Sequence, residues 1–134
     1  NPEVEFLHSK VQAYQGTIVK ENEVDFKNYD DYTFNRKDIT PKEQFGILLR
    51  INPVITPTNF IKQEVFSKFG GFEEGFRLLE DRPLFLKLTK NGVKLHYMDV
   101  VTVNYRLSES SVQLKNNKQK IFSEFQLLVE GYLM

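Results

Sequence analysis

Two adjacent carboxylates, Glu80 and Asp81, stand immediately before the run Arg82-Pro83-Leu84-Phe85-Leu86. That run reads as a helix from about Arg82 to Asn91, stopped by Gly92. Asp is among the favoured N-cap types, so Asp81 can accept backbone N–H groups of the first turn. A carboxylate has two oxygens, and the second stays free to take a proton from a bound hydroxyl. The cap and the base are compatible roles, and the residues alone leave both open.

Other residues of chemical interest resolve differently. Asp30-Asp31 sits in a polar loop and reads as a solvated surface pair. Gly70-Gly71 follows a helix and reads as a left-handed C-cap, since no lysine-bearing phosphate loop follows it. His8 and His96 are far apart in strand-like runs and read as packing or surface residues, not as metal ligands. Arg106, near a strand end, suits either an ion pair or an anionic ligand.

The elements that must position these groups suggest an α/β domain. Val4 to Tyr14 is β-branched and aromatic, as strands are. Residues 20–40 read as a long irregular excursion. Thr40-Pro41-Lys42-Glu43 carries a capping box with proline at the first helical position, so a helix runs from there to about Arg50. Pro53 and Pro57 confine the stretch between them to a short extended segment. Thr58-Asn59 is read as the cap of a helix from about Phe60 to Phe69. Val93 to Tyr105 supplies one or two strands. A last helix spans about Asn117 to Tyr132, with Ile121, Phe122, Phe125, Leu128 and Val129 at helical spacing. Phe60, Phe66, Phe69, Phe72 and Phe76 are expected mostly in the core.

The chain has 134 residues, 40% hydrophobic and 27% charged, which fits one ordinary globular domain. Basic and acidic residues number 18 each. That balance gives no electrostatic footprint for nucleic acid. Cysteine is absent, which excludes disulfides and thiolate metal sites. No apolar run approaches the roughly 20 residues that span a bilayer.

From about Pro53 to Ser111 the chain resembles the acceptor half of family 2 glycosyltransferases of the GT-A type, with a weaker match over residues 1–14. Thr56-Pro57-Thr58-Asn59-Phe60 through Gly70-Gly71-Phe72 looks like the segment entering that family's acceptor site. Glu73-Glu74 stand where the family has Asp-Glu. Glu80-Asp81 with Leu84 and Lys87 matches ED-x-x-L-x-x-R, with lysine for arginine. Asn104-Tyr105-Arg106-Leu107-Ser108 resembles the closing YR-x-H segment, with serine for histidine. Pro83 also departs from the pattern.

The resemblance implies a partial GT-A-like mixed sheet with flanking helices, residues 1–134 forming the C-terminal, acceptor-side portion. It implies inverting transfer from a nucleotide-diphosphate sugar to a hydroxyl of a glycan or lipid-linked acceptor. Asp81 would be the base and Glu80 would orient it or the acceptor. Thr58, Asn59, Gly71 and Phe72 would bind acceptor, and Arg106 the diphosphate. A divalent ion, Mg or Mn, belongs to the complete enzyme, held by a nucleotide-binding half for which this chain has no candidate; no metal is expected here. Such enzymes act in bacterial polysaccharide synthesis in the cytoplasm, some near the membrane. The contrasting expectation is a non-catalytic binding module in which Glu80-Asp81 only caps a helix. Val4, Phe6, Leu7 and Val11, read as a strand left unpaired by truncation, predict self-association as a homodimer.

Overall fold

The computed structural model describes residues 3–25, 31–70 and 81–107. It is a mixed α/β arrangement: a four-stranded sheet with helices packed against it. Strand β1 (Phe6–Gln15) is the organiser. It pairs in parallel with the long β4 (His96–Leu107) on one side. On the other it meets two short antiparallel strands, β2 (Glu23–Val24) and β3 (Phe60–Ile61), at opposite ends. A parallel pair needs a long crossover, and the helices of the intervening chain provide it.

The central place of β1 corrects the expectation of an unpaired edge strand. Phe6 is fully buried and packs edge-on against Phe85, ring centroids 5.5 Å apart. Among the described residues the exposed large apolar side chains lie elsewhere: at Ile18, Val19, Tyr32 and Phe60, and at Met98, Val100 and Val101 of β4.

Helix α2 (Pro41–Leu48) forms where its local chemistry directs. The Thr40 hydroxyl accepts from the Glu43 N–H at 3.1 Å, and the Glu43 carboxylate accepts from the Thr40 N–H at 3.2 Å. Both halves of the capping box are therefore made. These contacts, with Arg36 alongside, hold the Glu43 carboxyl below its usual range. Helix α4 (Asp81–Lys90) is buried along nearly its whole circumference, as a helix apolar on most sides must be. Leu84, Phe85, Leu86 and Leu88 reach zero exposure there. Each such side chain contributes on the order of 2 kcal/mol on leaving water. Gly92, at a φ of +85°, ends the helix as expected, because a left-handed turn favours glycine.

Two connections fix α2, one to Leu95 just before β4 and one to α4. Gln44 is fully buried on α2. Its Nε2 donates to the Leu95 carbonyl at 2.8 Å and its Oε1 accepts from the Leu95 N–H at 2.9 Å. Arg82, nearly buried, donates from Nε to the Leu48 carbonyl at 2.7 Å, at the end of α2. Terminal helix carbonyls lack intrahelical donors, and a cation there also complements the helix dipole. Burial lowers the Arg82 guanidinium to about 10, with neighbouring Asp81 pulling the other way, so it stays charged at neutral pH.

Three expected elements differ. The excursion over residues 20–40 is more ordered than its composition suggests, holding β2, a one-turn 3-10 helix (Lys20–Asn22) and a short α1 (Asp31–Phe34). Helix α3 is only Gln63–Lys68, with Lys62 before it and no side-chain cap. Phe60–Ile61 pairs with β1 instead of opening that helix, and Phe60 is exposed. Thr58 does not cap α3. Its hydroxyl donates to the Ile55 carbonyl at 2.7 Å and accepts from the Ser9 N–H at 3.1 Å, stitching its turn to β1. Phe66 and Phe69 pack against the core, whereas Phe72 and Phe76 lie outside the described residues. So does the helix expected over residues 117–132.

Candidate functional site

Asp81 opens α4, and its carboxylate faces the segment between α2 and β3. That segment contains Asn52-Pro53 and passes through a 3-10 turn, Thr56–Thr58. Two of its side chains hold one oxygen of Asp81. Asn52 Nδ2 donates to Oδ2 at 3.3 Å, and the Thr56 hydroxyl donates to the same atom in a very short contact. Asn52 is itself oriented, because its Oδ1 accepts from the Val54 N–H at 3.2 Å. The amide is thereby turned so that its NH₂ faces Asp81.

Among the described residues the other oxygen, Oδ1, has no hydrogen-bond partner, and Asp81 is half-buried. Among the described residues the carboxylate is thus held through one oxygen only. A fixed carboxylate with a free oxygen can receive a proton from a hydroxyl placed within about 3 Å. Asn52 and Thr56 were not foreseen as partners. They precede Asp81 by 29 and 25 residues. Each stands directly before a proline, which narrows its backbone options, and that is the one local signal they carry.

The other sequence candidates scatter. Thr58 is 2% exposed and holds β1. Asn59 is half-buried, its amide atoms shielded from solvent. Arg106 lies exposed on β4, opposite Tyr14 of β1, with no ion pair among the described residues. Glu80, Gly71 and Phe72 lie outside the described residues, as does Asp30. Gly70 adopts a φ of +77° after α3, consistent with a left-handed cap. Lys87, which stands where the resembling family has arginine, donates to the Phe69 carbonyl at 2.8 Å. It ties α4 to the end of α3, just ahead of the paired glycines.

His8 is fully buried in β1 among the rings of Phe6, Phe34 and Tyr97. Burial lowers its pKa to about 4, against a smaller raising effect of the Leu95 backbone, so it is neutral at neutral pH. His96 is shifted down too, by burial and by Lys94. Among the described residues, no three His, Cys, Asp or Glu side chains converge as metal donors. No helix among them is long and apolar enough to cross a membrane. Compared with models of protein families, with curated proteins and with solved structures, the chain gives no match.

Proposed function

We propose that this chain is the acceptor-side portion of an inverting, GT-A-like family 2 glycosyltransferase, with Asp81 as general base. The observation that carries the reading is the half-engaged carboxylate at the start of α4, where the ED-x-x-L-x-x-K spacing places the base. Leu84 of that spacing is a core residue, and Lys87 fixes the helix to the preceding turn.

In the proposed reaction Asp81 Oδ1 takes the proton of an acceptor hydroxyl as its oxygen attacks the anomeric carbon of the donor sugar. The new carbon–oxygen bond forms on the face opposite the leaving group. The bond from that carbon to the diphosphate breaks, and the nucleoside diphosphate leaves with the electron pair. Asn52 and Thr56 keep the carboxylate from rotating away during this step. Pre-positioning of this kind supplies much of the advantage of an enzyme over free carboxylate. The described residues do not form a divalent-metal site. Donor binding and any metal belong, in this reading, to a nucleotide-binding half joined to this one, in the cytoplasm or at its membrane face. Self-association remains part of the proposal, now through the exposed Phe60, Val100 and Val101, and light scattering across a concentration series checks it.

The test uses a protein joining this chain to its donor-binding half. It is incubated with nucleotide-diphosphate sugars and hydroxyl acceptors. Acceptor-dependent release of nucleoside diphosphate, with inverted configuration in the product, supports the reading. Release that ignores the acceptor, or a retained configuration, counts against it.

A second reading has one specific observation in its favour. The contacts of Asp81 with Asn52 and Thr56 also clamp α4 to the sheet-facing segment. In a binding module this clamp would be the whole role of Asp81. Substituting it would then lower stability and leave every ligand interaction unchanged.

A further inference from the structure

Strand β4 runs from His96 to Leu107 and is rich in valine and tyrosine. It holds neither proline nor lysine, residues that commonly blunt a sheet edge. At about 3.3 Å per residue it is roughly 40 Å long, well beyond the usual strand. One side of it is taken by β1, and among the described residues no strand pairs with the other. Every residue from Met98 to Thr102 is exposed, Val100 to 53% and Val101 to 49%. This consecutive exposure accompanies the irregular register opposite Ser9–Val11, since a bulge breaks the in–out alternation of side chains. A row of backbone donors and acceptors flanked by valine is a template for a further strand.

We propose that this edge pairs antiparallel with β4 of a second copy, across a two-fold axis near Thr102 and Val103, making one continuous sheet of two. The contact rests on the self-association proposed above and gives it a place. It uses Val100 and Val101 but not Phe60, because β3 lies on the far side of β1 from β4.

Charge selects both the occupant and its direction. β4 carries one acid, Asp99, near its start and one arginine, Arg106, near its end. Arg106 is exposed, with no ion pair among the described residues. Lys10 and the Tyr97 hydroxyl both address Asp99 Oδ1, at 2.6 and 3.3 Å. Oδ2 is left for another donor, on a side chain 72% exposed. An antiparallel copy brings its Arg106 alongside this Asp99, and the two-fold repeats the match at the other end. Parallel alignment would set like charges side by side, which destabilises a strand pair. The chain as a whole has zero formal charge, so two copies carry no net repulsion to overcome.

The test uses the 134-residue chain, which has no cysteine of its own. In Thr102→Cys the two thiols lie close to the axis, so mild oxidation should give a disulfide-linked dimer quickly. In Leu107→Cys they lie roughly 30 Å apart and should not link. Sedimentation equilibrium should show a dimer dissociating at about 100 µM or below. Val101→Lys and Arg106→Asp should each weaken it about tenfold, and Asp99→Arg combined with Arg106→Asp should recover most of the loss. Arg106→Asp keeps the test decisive if Val101→Lys does not fold. A monomer at about millimolar concentration overturns the proposal. So does linkage at position 107 as fast as at 102, or a double variant no better than Arg106→Asp. A dimer lost in Phe60→Ser but kept in Val101→Lys overturns this contact while upholding self-association. None of these readouts involves Asp81, so their failure is distinguishable from failure of its proposed role.

Discussion

Two polar junctions pin the helices of this protein, and they differ in how completely they are used. At the first, Gln44 matches the Leu95 N–H and carbonyl with its own amide, in full burial. Donor meets acceptor twice, and neither polar atom of the Gln44 side chain lacks a partner. At the second, Asn52 and Thr56 both address one oxygen of Asp81, and the other oxygen is open among the described residues. A closed junction of this kind can only hold structure. An open one retains the capacity to bind or to accept a proton, and the role proposed for Asp81 rests on that excess.

The contrast can be broken first at its closed end. Gln44→Leu leaves two buried backbone groups without their partner, so unfolding in urea should show a loss of about 3 kcal/mol or more. A loss below about 1 kcal/mol would mean the junction does not lock α2 in place.

Acid sharpens the comparison next, because His8 sits near the closed junction. Its folded pKa is about 4 against an ordinary 6.5, so between those values the unfolded chain binds a proton that the native one refuses. This contribution is complete above about pH 6.5 and lost as pH falls toward 4. It amounts to about 3 kcal/mol at most. His96, also depressed, adds in the same direction. Glu43 and Asp99, held low by Thr40 and Lys10, lose their contributions only at lower pH, within the carboxylate range. Stability measured from pH 7.5 to 4.5 should fall in the native chain and flatten in His8→Phe. Equal slopes would contradict the neutral, buried state of His8.

At the open junction the structural effect should be smaller. Thr56→Val removes one donor from a carboxylate that solvent can still reach, for a loss of about 1 kcal/mol in thermal unfolding. Thr40→Ala, which unmakes the capping box of α2, should cost about 1 kcal/mol as well, with no effect on either junction. If Thr56→Val costs as much as Gln44→Leu, the two junctions are alike and the contrast fails.

What the sequence made legible follows the range of the forces involved. The α2 cap and the Gly92 stop are settled within four residues, and both were readable. The start of α3 was misread because a distant strand competes for it. Thr58 serves the Ser9 backbone, and Phe60–Ile61 joins β1. Apolar β1 was readable as a strand, but its central position depends on β4, some ninety residues on, as the Ser9–Thr102 hydroxyl contact at 2.5 Å illustrates. Asp81 could be singled out from its place at the start of a helix. The two side chains that hold it could not, because nothing local to Asn52 or Thr56 specifies which carboxylate will face them.

The most direct test of the account is Asp81→Asn in the protein carrying both halves, with transfer rate and thermal midpoint taken from one preparation. The substitution is nearly isosteric, so Asn52 and Thr56 retain a partner oxygen while the proton acceptor is lost. The rate should be at least about 100-fold lower, the effect of removing a positioned base. The midpoint should move by only a few degrees, as for a change of about 1 kcal/mol or less. Transfer at the parent rate, or a rate lost only in proportion to the unfolded fraction, would contradict it.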